Sequence, residues 1–254
     1  ANTAYASNGI TALGDEAITL SDTSVTAANL NTLNGNTSAN ITATSVTTIS
    51  GTNAELVTLY TADGNNEINI DGNANLTVTD NITVTQANVL NGYTSNPVTA
   101  TISTTAIADL DDLAGTGNAY TITVADSAVT AAALNTVNAA TTVNVTATDV
   151  TTITGTAAQL ATTYGGGMAG LGDEAITVSD TNITSTQANT IDAYTTGAVT
   201  ATISTTAIGD LDDLTGTGNA YTITVATGSV TAAALNTVNA ATTVQVTATA
   251  VTAI

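Results

Sequence analysis

The chain has 254 residues and a formal net charge of -20, with 20 acidic side chains and no Lys, Arg, His, Cys, Trp or Phe. Without a cation there is no patch to neutralise phosphates, so nucleic-acid binding is excluded, as is attraction to anionic lipid. No side-chain ion pair can form, no disulfide or thiolate site exists, and the usual catalytic base, Schiff-base former and thiol nucleophile are missing, so the chain reads as no enzyme.

Hydrophobic residues make up 43% of the chain, too many for compositional disorder. No run of 18 apolar residues occurs, so no membrane insertion is expected. No basic leader precedes the first residues, and both ends cut through a repeating pattern, as expected for an excerpt of a longer array or a processed piece.

Repetition is evident at two scales. Residues 100–148 recur at 201–249 with six substitutions in 49 positions, and DEAITLSDT at 15–23 returns as DEAITVSDT at 173–181. Within these blocks, a core of apolar, Thr, apolar, Thr/Ser starts at residues 18, 41, 76, 98, 122, 145, 176, 199, 223 and 246, with Ala125 and Ala226 in the fourth place of two of them, a coil of about 23 residues recurring ten times. Residues 61–75 and 165–175 read as insertions in an otherwise single, continuous array over 1–254.

Each coil has one plan. Alternation of period two, as in Ile18-Thr19-Leu20-Ser21, predicts a strand with apolar residues inward and hydroxyls outward. A bend carrying Asp22, Asp80, Asp126 or Asp180 follows, and then a second apolar step such as Val25 or Val129. Pairs spaced i, i+3 (Leu30/Leu33, Leu110/Leu113, Leu134/Val137, Leu235/Val238) predict short helical segments. Asn34, Asn91, Asn138 and Asn239 are placed to leave these helices in a left-handed conformation. The second inward strand residue alternates between large (Leu20, Val78, Val124, Val178, Val225) and Ala (Ala43, Ala100, Ala147, Ala201, Ala248), so a two-coil packing module is expected.

A coil this short cannot bury its apolar side alone, but stacked coils can. The expected fold is therefore a β-solenoid: a parallel β stack with short helical segments, leucine-rich-repeat-like. No polar cap is recognisable at either end, so pairing with more chain or a homopolymer is the expected partnership. Segments VTTITGTAAQLATTY (150–164), GITALGDEAITLSD (9–22) and SVTAANLNTLNGNT (24–37) resemble the Thr/Ala-rich β-strand-repeat proteins of bacterial surfaces, very large cyanobacterial-type ones above all. The strand-then-helix coil also resembles bacterial leucine-rich-repeat surface proteins. The first resemblance implies an extracellular, cell-surface location and a structural or adhesive role; it carries over no catalytic residue.

Two kinds of candidate site stand out. Thr19, Thr42, Thr77, Thr99, Thr123, Thr146, Thr177, Thr200, Thr224 and Thr247 are expected in one outward file, either an assembly, ice- or glycan-binding surface or simply good strand residues. Carboxylates are the only metal ligands on offer, and their hard oxygens suit calcium. They cluster as Asp109, Asp111 and Asp112, as Asp210, Asp212 and Asp213, and with an Asn as Asp63, Asn65, Glu67 and Asp71. Tyr60, Tyr93, Tyr120, Tyr164, Tyr194 and Tyr221 are expected to pack at coil edges. The function expected is an extracellular filament, fibre, sheath or surface layer, with an adhesin stalk or an ice- or glycan-binding module as the alternative.

Overall fold

A computed structural model describes residues 1–7, 10–226 and 228–254. The chain forms two compact units, one of Ala1–Thr123 with Ala139–Asn144, the other of Val124–Asn138 with Val145–Ile254. Each is a parallel α/β arrangement of short strands and short helices.

In the first unit the elements run α1 (Asn2–Tyr5), β1 (Ile18–Thr19), β2 (Ser24–Thr26), α2 (Ala27–Asn36), β3 (Ile41–Ala43), β4 (Thr48–Gly51), α3 (Asn53–Gly64), β5 (Ile68–Ile70), β6 (Asn75–Ile82), α4 (Val84–Asn91), β7 (Val98–Ile102), α5 (Ile107–Leu110) and β8 (Ala119–Thr121). They make a three-stranded sheet, β1-β3-β5, and a five-stranded sheet, β2-β4-β6-β7-β8. In the second unit β9 (Ala128–Thr130), α6 (Ala131–Ala139), β10 (Thr152–Gly155), α7 (Ala157–Gly165), β11 (Ala175–Val178), α8 (Ser185–Asp192), β12 (Val199–Thr202), α9 (Ile208–Leu211), β13 (Ala220–Thr222) and α10 (Ala232–Ala240) follow, with β9 to β13 in sequence order in one sheet. Every strand pairing among the described residues is parallel.

The period-two alternation is real. In β7, Val98, Ala100 and Ile102 are buried while Thr99 and Thr101 are exposed. Registered partners differ in size, but in other pairs than expected: Ala43 lies beside Ile70 and not Val78, Gly51 beside Val78, Ala100 beside Tyr120 and not Val124, Gly155 beside Val178, and Ala201 beside Tyr221 and not Val225. A small residue against a large one fills a narrow core without overlap.

The helices start where a strand ends. Thr26, Thr52, Thr83, Thr156, Thr184 and Thr231 each accept a hydrogen bond from the backbone N–H three residues on. Where that third residue is Glu55, Gln86, Gln159 or Gln187, its side chain accepts from the cap N–H in return, a full capping box. Helices α2 and α6 each bury a narrow stripe, Ala27, Leu30 and Leu33 in one and Ala131, Leu134 and Val137 in the other.

Three features differ from expectation. The segment taken as insertion 61–75 carries β5, which pairs with β3, and within 165–175 Ala169 bridges Thr146. Leu76 and Ile176 therefore stand beside Ile49 and Ile153, in the second-strand register rather than opening a coil. The physical cause is that a strand's place is set by its neighbour's backbone, and Ile68-Asn69-Ile70 fills the first-strand place without the Thr signature. Finally, among the described non-glycine residues only Ala12 and Asn66 have positive φ, so Asn34, Asn91, Asn138 and Asn239 do not leave their helices left-handed.

Successive repeats are joined by side-chain hydroxyls as well as by the sheets. After a helix, Thr37, Thr94, Thr141, Thr195 and Thr242 each donate Oγ1 to a main-chain oxygen 20 or 21 residues earlier, on Glu16, Ala74, Tyr120, Glu174 and Tyr221, at 2.6–3.0 Å. The same Oγ1 accepts from the N–H two residues on, of Ala39, Asn96, Val143, Gly197 and Val244. Helix asparagines reach forward: Asn31, Asn88, Asn135 and Asn189 donate Nδ2 to the carbonyls of Glu55, Asp112, Gln159 and Asp213 at 2.9–3.0 Å.

Candidate functional site

The threonines expected in one file fall into several. In the three-stranded sheet Thr19 stands beside Thr42, and Thr42 beside Asn69. In the five-stranded sheet of the first unit the file is Thr26, Ser50, Thr77 and Thr99, ending at Ala119. In the second unit it is Thr130, Thr154, Thr177 and Thr200, ending at Ala220. Thr146 bridges Ala169, Thr224 bridges Thr247, and Thr123 is exposed. The single file divides because Leu76 and Ile176 sit in the other register. Sequence reasoning missed Thr26, Ser50, Thr130 and Thr154; the signal was the apolar-hydroxyl step just before each helix. At a strand spacing of about 4.8 Å, four hydroxyls span roughly 14 Å.

The carboxylates of the 63–71 segment turn to separate partners. Asp63 accepts from the N–H of Ile70 at 2.8 Å, Glu67 from the amides of Asn34 and Asn65 at 2.8 and 3.4 Å, and Asp71 from Asn73 at 2.8 Å. Among the described residues no group of three carboxylates comes together as a metal-holding set.

The two DLDDL segments build equivalent grooves, one in each unit. In the first, Thr83, Val84, Thr85, Asn88, Val89, Thr104, Asp109 and Asp112 line a groove of about 780 Å³. In the second, Thr184, Ser185, Thr186, Asn189, Thr205, Asp210 and Asp213 line one of about 260 Å³. Asn88 fixes the wall of the first, donating to the carbonyl of Asp112 and accepting from the N–H of Ala114 at 2.7 Å. Asn189 does the same with Asp213 and the N–H of Thr215 at 3.1 Å. Asp109, Asp112, Asp210 and Asp213 are exposed, as is Asp111, while Asp212 is half-buried; Asp111 and Asp212 lie outside the groove linings. Hydroxyls, amides and exposed carboxylates can take up hydrogen-bond donors there.

The tyrosines are more central than expected. Tyr120 and Tyr221 are fully buried core residues, because their strands set them opposite Ala100 and Ala201. Burial pushes the Tyr120 phenol up to about 12 and raises that of Tyr221. Tyr60 stacks on Tyr93 at 4.6 Å and Tyr164 on Tyr194 at 4.9 Å. Tyr164 also donates to Glu174, as Tyr5 does to Glu16 at 2.9 Å. The N–H of Gly14 and, after it, the Tyr5 hydroxyl hold the Glu16 carboxyl below its ordinary range.

No helix among the described residues is long and apolar enough to cross a membrane. Comparison with protein-family models, with curated proteins and with solved structures finds no match to this chain.

Proposed function

We propose that the chain is a structural repeat protein, a β-solenoid of about ten coils that builds an extracellular filament, fibre, sheath or surface layer. What carries the reading is the hydroxyl staple, with Thr37, Thr94, Thr141, Thr195 and Thr242 each tying one coil to the one before it. Such residues are spent on joining coils rather than on building a reacting centre, and the role is that of a scaffold and not a catalyst. Self-association is the matching partnership, since a chain with no Lys or Arg has nothing to offer a polyanion. Negative-stain microscopy of the purified chain at rising concentration tests it. Rods or sheets support the proposal; a monodisperse particle that never associates sinks it.

A second reading, an ice- or glycan-binding face, is favoured by one observation: the registered file Thr130, Thr154, Thr177 and Thr200 on one sheet of the second unit. Thermal hysteresis and glycan-array binding, compared with Thr154→Tyr and Thr177→Tyr variants, decide it. Activity lost in both variants supports the face, and no activity in the parent chain removes it.

A further inference from the structure

The tyrosines are the side chains most readily oxidised by one electron in this chain, which holds seven Tyr and one Met but no Cys, Trp or His. Without Cys or Lys, neither a disulfide nor a lysine-derived cross-link can form. Three tyrosines lie on helices, Tyr5 on α1, Tyr60 on α3 and Tyr164 on α7. They differ in two respects that govern radical chemistry: whether a second phenol ring is stacked alongside, and whether a base meets the hydroxyl.

Tyr5 has the base, since its hydroxyl donates to Glu16 at 2.9 Å, but no ring stacks on it among the described residues. Tyr60 has the ring, with Tyr93 at 4.6 Å and 6° from parallel, but its buried hydroxyl has no hydrogen-bond partner. The carboxylate of Asp63 turns to the N–H of Ile70 instead. Tyr164 has both. Tyr194 stacks on it at 4.9 Å and 10° from parallel, and Glu174 accepts from its hydroxyl at 2.8 Å. Glu174 is fully buried and held by the N–H of Gly172, which fixes the carboxylate against the phenol. Both rings of this pair are half-buried, within reach of a small oxidant.

An electron taken from a phenol leaves a radical cation too acidic to persist unless its proton departs as well. A carboxylate within hydrogen-bond reach takes that proton. Burial and, after it, the Glu174 contact raise the Tyr164 phenol, so the proton stays on oxygen until the electron leaves. Spin in the resulting phenoxyl spreads to the ring carbons ortho to oxygen, and two such carbons bond across facing π surfaces. Stacking replaces a chance encounter of two radicals with a preset one.

We infer that Tyr164 and Tyr194 form an oxidative cross-linking site, at which a one-electron oxidant, hydrogen peroxide acting through a heme peroxidase, joins the two rings as dityrosine. Each ring gives up one electron and one phenolic proton, that of Tyr164 passing to Glu174 and then to solvent, that of Tyr194 to water. A bond forms between one ortho carbon of each ring, the hydrogens on those carbons move to the oxygens, and both phenols are restored. Two electrons and two protons have left the pair, and one peroxide takes them up as two waters. The bond ties the end of α7 to the turn after α8, in place of the disulfide this chain cannot make.

The test treats the dilute full chain with peroxidase and hydrogen peroxide and reads cross-linked peptides by mass spectrometry after cleavage at acidic residues. A product joining Tyr164 to Tyr194, two hydrogens lighter than its parts, is expected to form about tenfold or more faster than one joining Tyr60 to Tyr93. Tyr194→Phe is expected to keep the stack and abolish the product. Glu174→Gln, with its fold checked by circular dichroism, is expected to slow the reaction to the Tyr60–Tyr93 rate, whereas a difference in solvent access alone would survive that change. Equal rates for the two pairs in the unchanged chain overturn the proposal. So does a product confined to links between chains, one that persists in Tyr194→Phe, or one that folded Glu174→Gln forms at full rate. The comparison of the two pairs needs no variant, so it decides the matter even where Glu174→Gln does not fold. Self-association plays no part in this reaction, so the structural role and the cross-link fail separately.

Discussion

The phenol of Tyr164 donates a 2.8 Å hydrogen bond to Glu174, a carboxylate with 0% exposure. The N–H of Gly172 supplies the remaining bonds at 2.9 and 3.0 Å. In a chain with no Lys, Arg or His, these donors do the work an ion pair would do elsewhere. Tyr164→Phe leaves the buried carboxylate one donor short and is expected to cost about 1–3 kcal/mol. Tyr5→Phe, beside the half-buried Glu16, is expected to cost less, because water can replace the phenol. Urea midpoints of the two variants check the order; equal losses would contradict the burial argument.

Alkaline pH is expected to unfold the protein through its buried phenols. Burial pushes Tyr60 and Tyr120 up to about 12, and burial with the Glu174 contact raises Tyr164 further. A pKa above the unfolded value of about 10 favours the neutral phenol in the fold. That stabilisation is fully present below pH 10 and is lost as pH rises from 10 towards 12. Stability measured by urea between pH 8 and 12 should be level at first and then fall. Tyr120→Phe should flatten the fall.

Thr195 tests the hydroxyl staple. Its Oγ1 donates to the carbonyl of Glu174 at 2.7 Å and accepts from Gly197 N–H at 2.9 Å. Thr195→Val keeps the shape and removes both bonds, for an expected loss of about 1–2 kcal/mol. Thr177→Val, at an exposed strand position, should change stability by less than about 0.5 kcal/mol. Matching losses in a denaturation series would deny the staple its role.

Two glycines predict opposite signs. Gly155→Ala forces a methyl against Ala131 and should destabilise by about 1–3 kcal/mol. Gly35 lies inside α2 with nothing within 4 Å of a new Cβ, so Gly35→Ala should stabilise by about 0.5–1 kcal/mol. Melting temperatures of the pair read both signs in one experiment.

Much of the local structure was legible in the residues. Val98-Thr99-Ala100-Thr101 reads as a half-buried strand and is one, because side-chain alternation follows from backbone geometry alone. Leu30 and Leu33, or Leu134 and Val137, read as one helix face for the same kind of reason. The capping boxes were there to be found in T-x-x-E/Q at Thr52, Thr83, Thr156 and Thr184. The acidic segments were visible too, but whether their oxygens converge was not: Asp63 turns to Ile70 and Glu67 to Asn34, and the grooves at DLDDL depend on Asn88 and Asn189 from a preceding helix.

The amino-acid sequence by itself determined which strand residues face inward and where helices start, since these follow from short-range geometry. Tertiary structure decided the register. Leu76 has the signature of a first strand yet lies beside Ile49, because β5 already occupies the place next to β3. It also decided burial: Leu134 and Leu235 sit in identical helices, and one is covered while the other is not. Burial depends on what packs against a helix, and identical residues do not specify that.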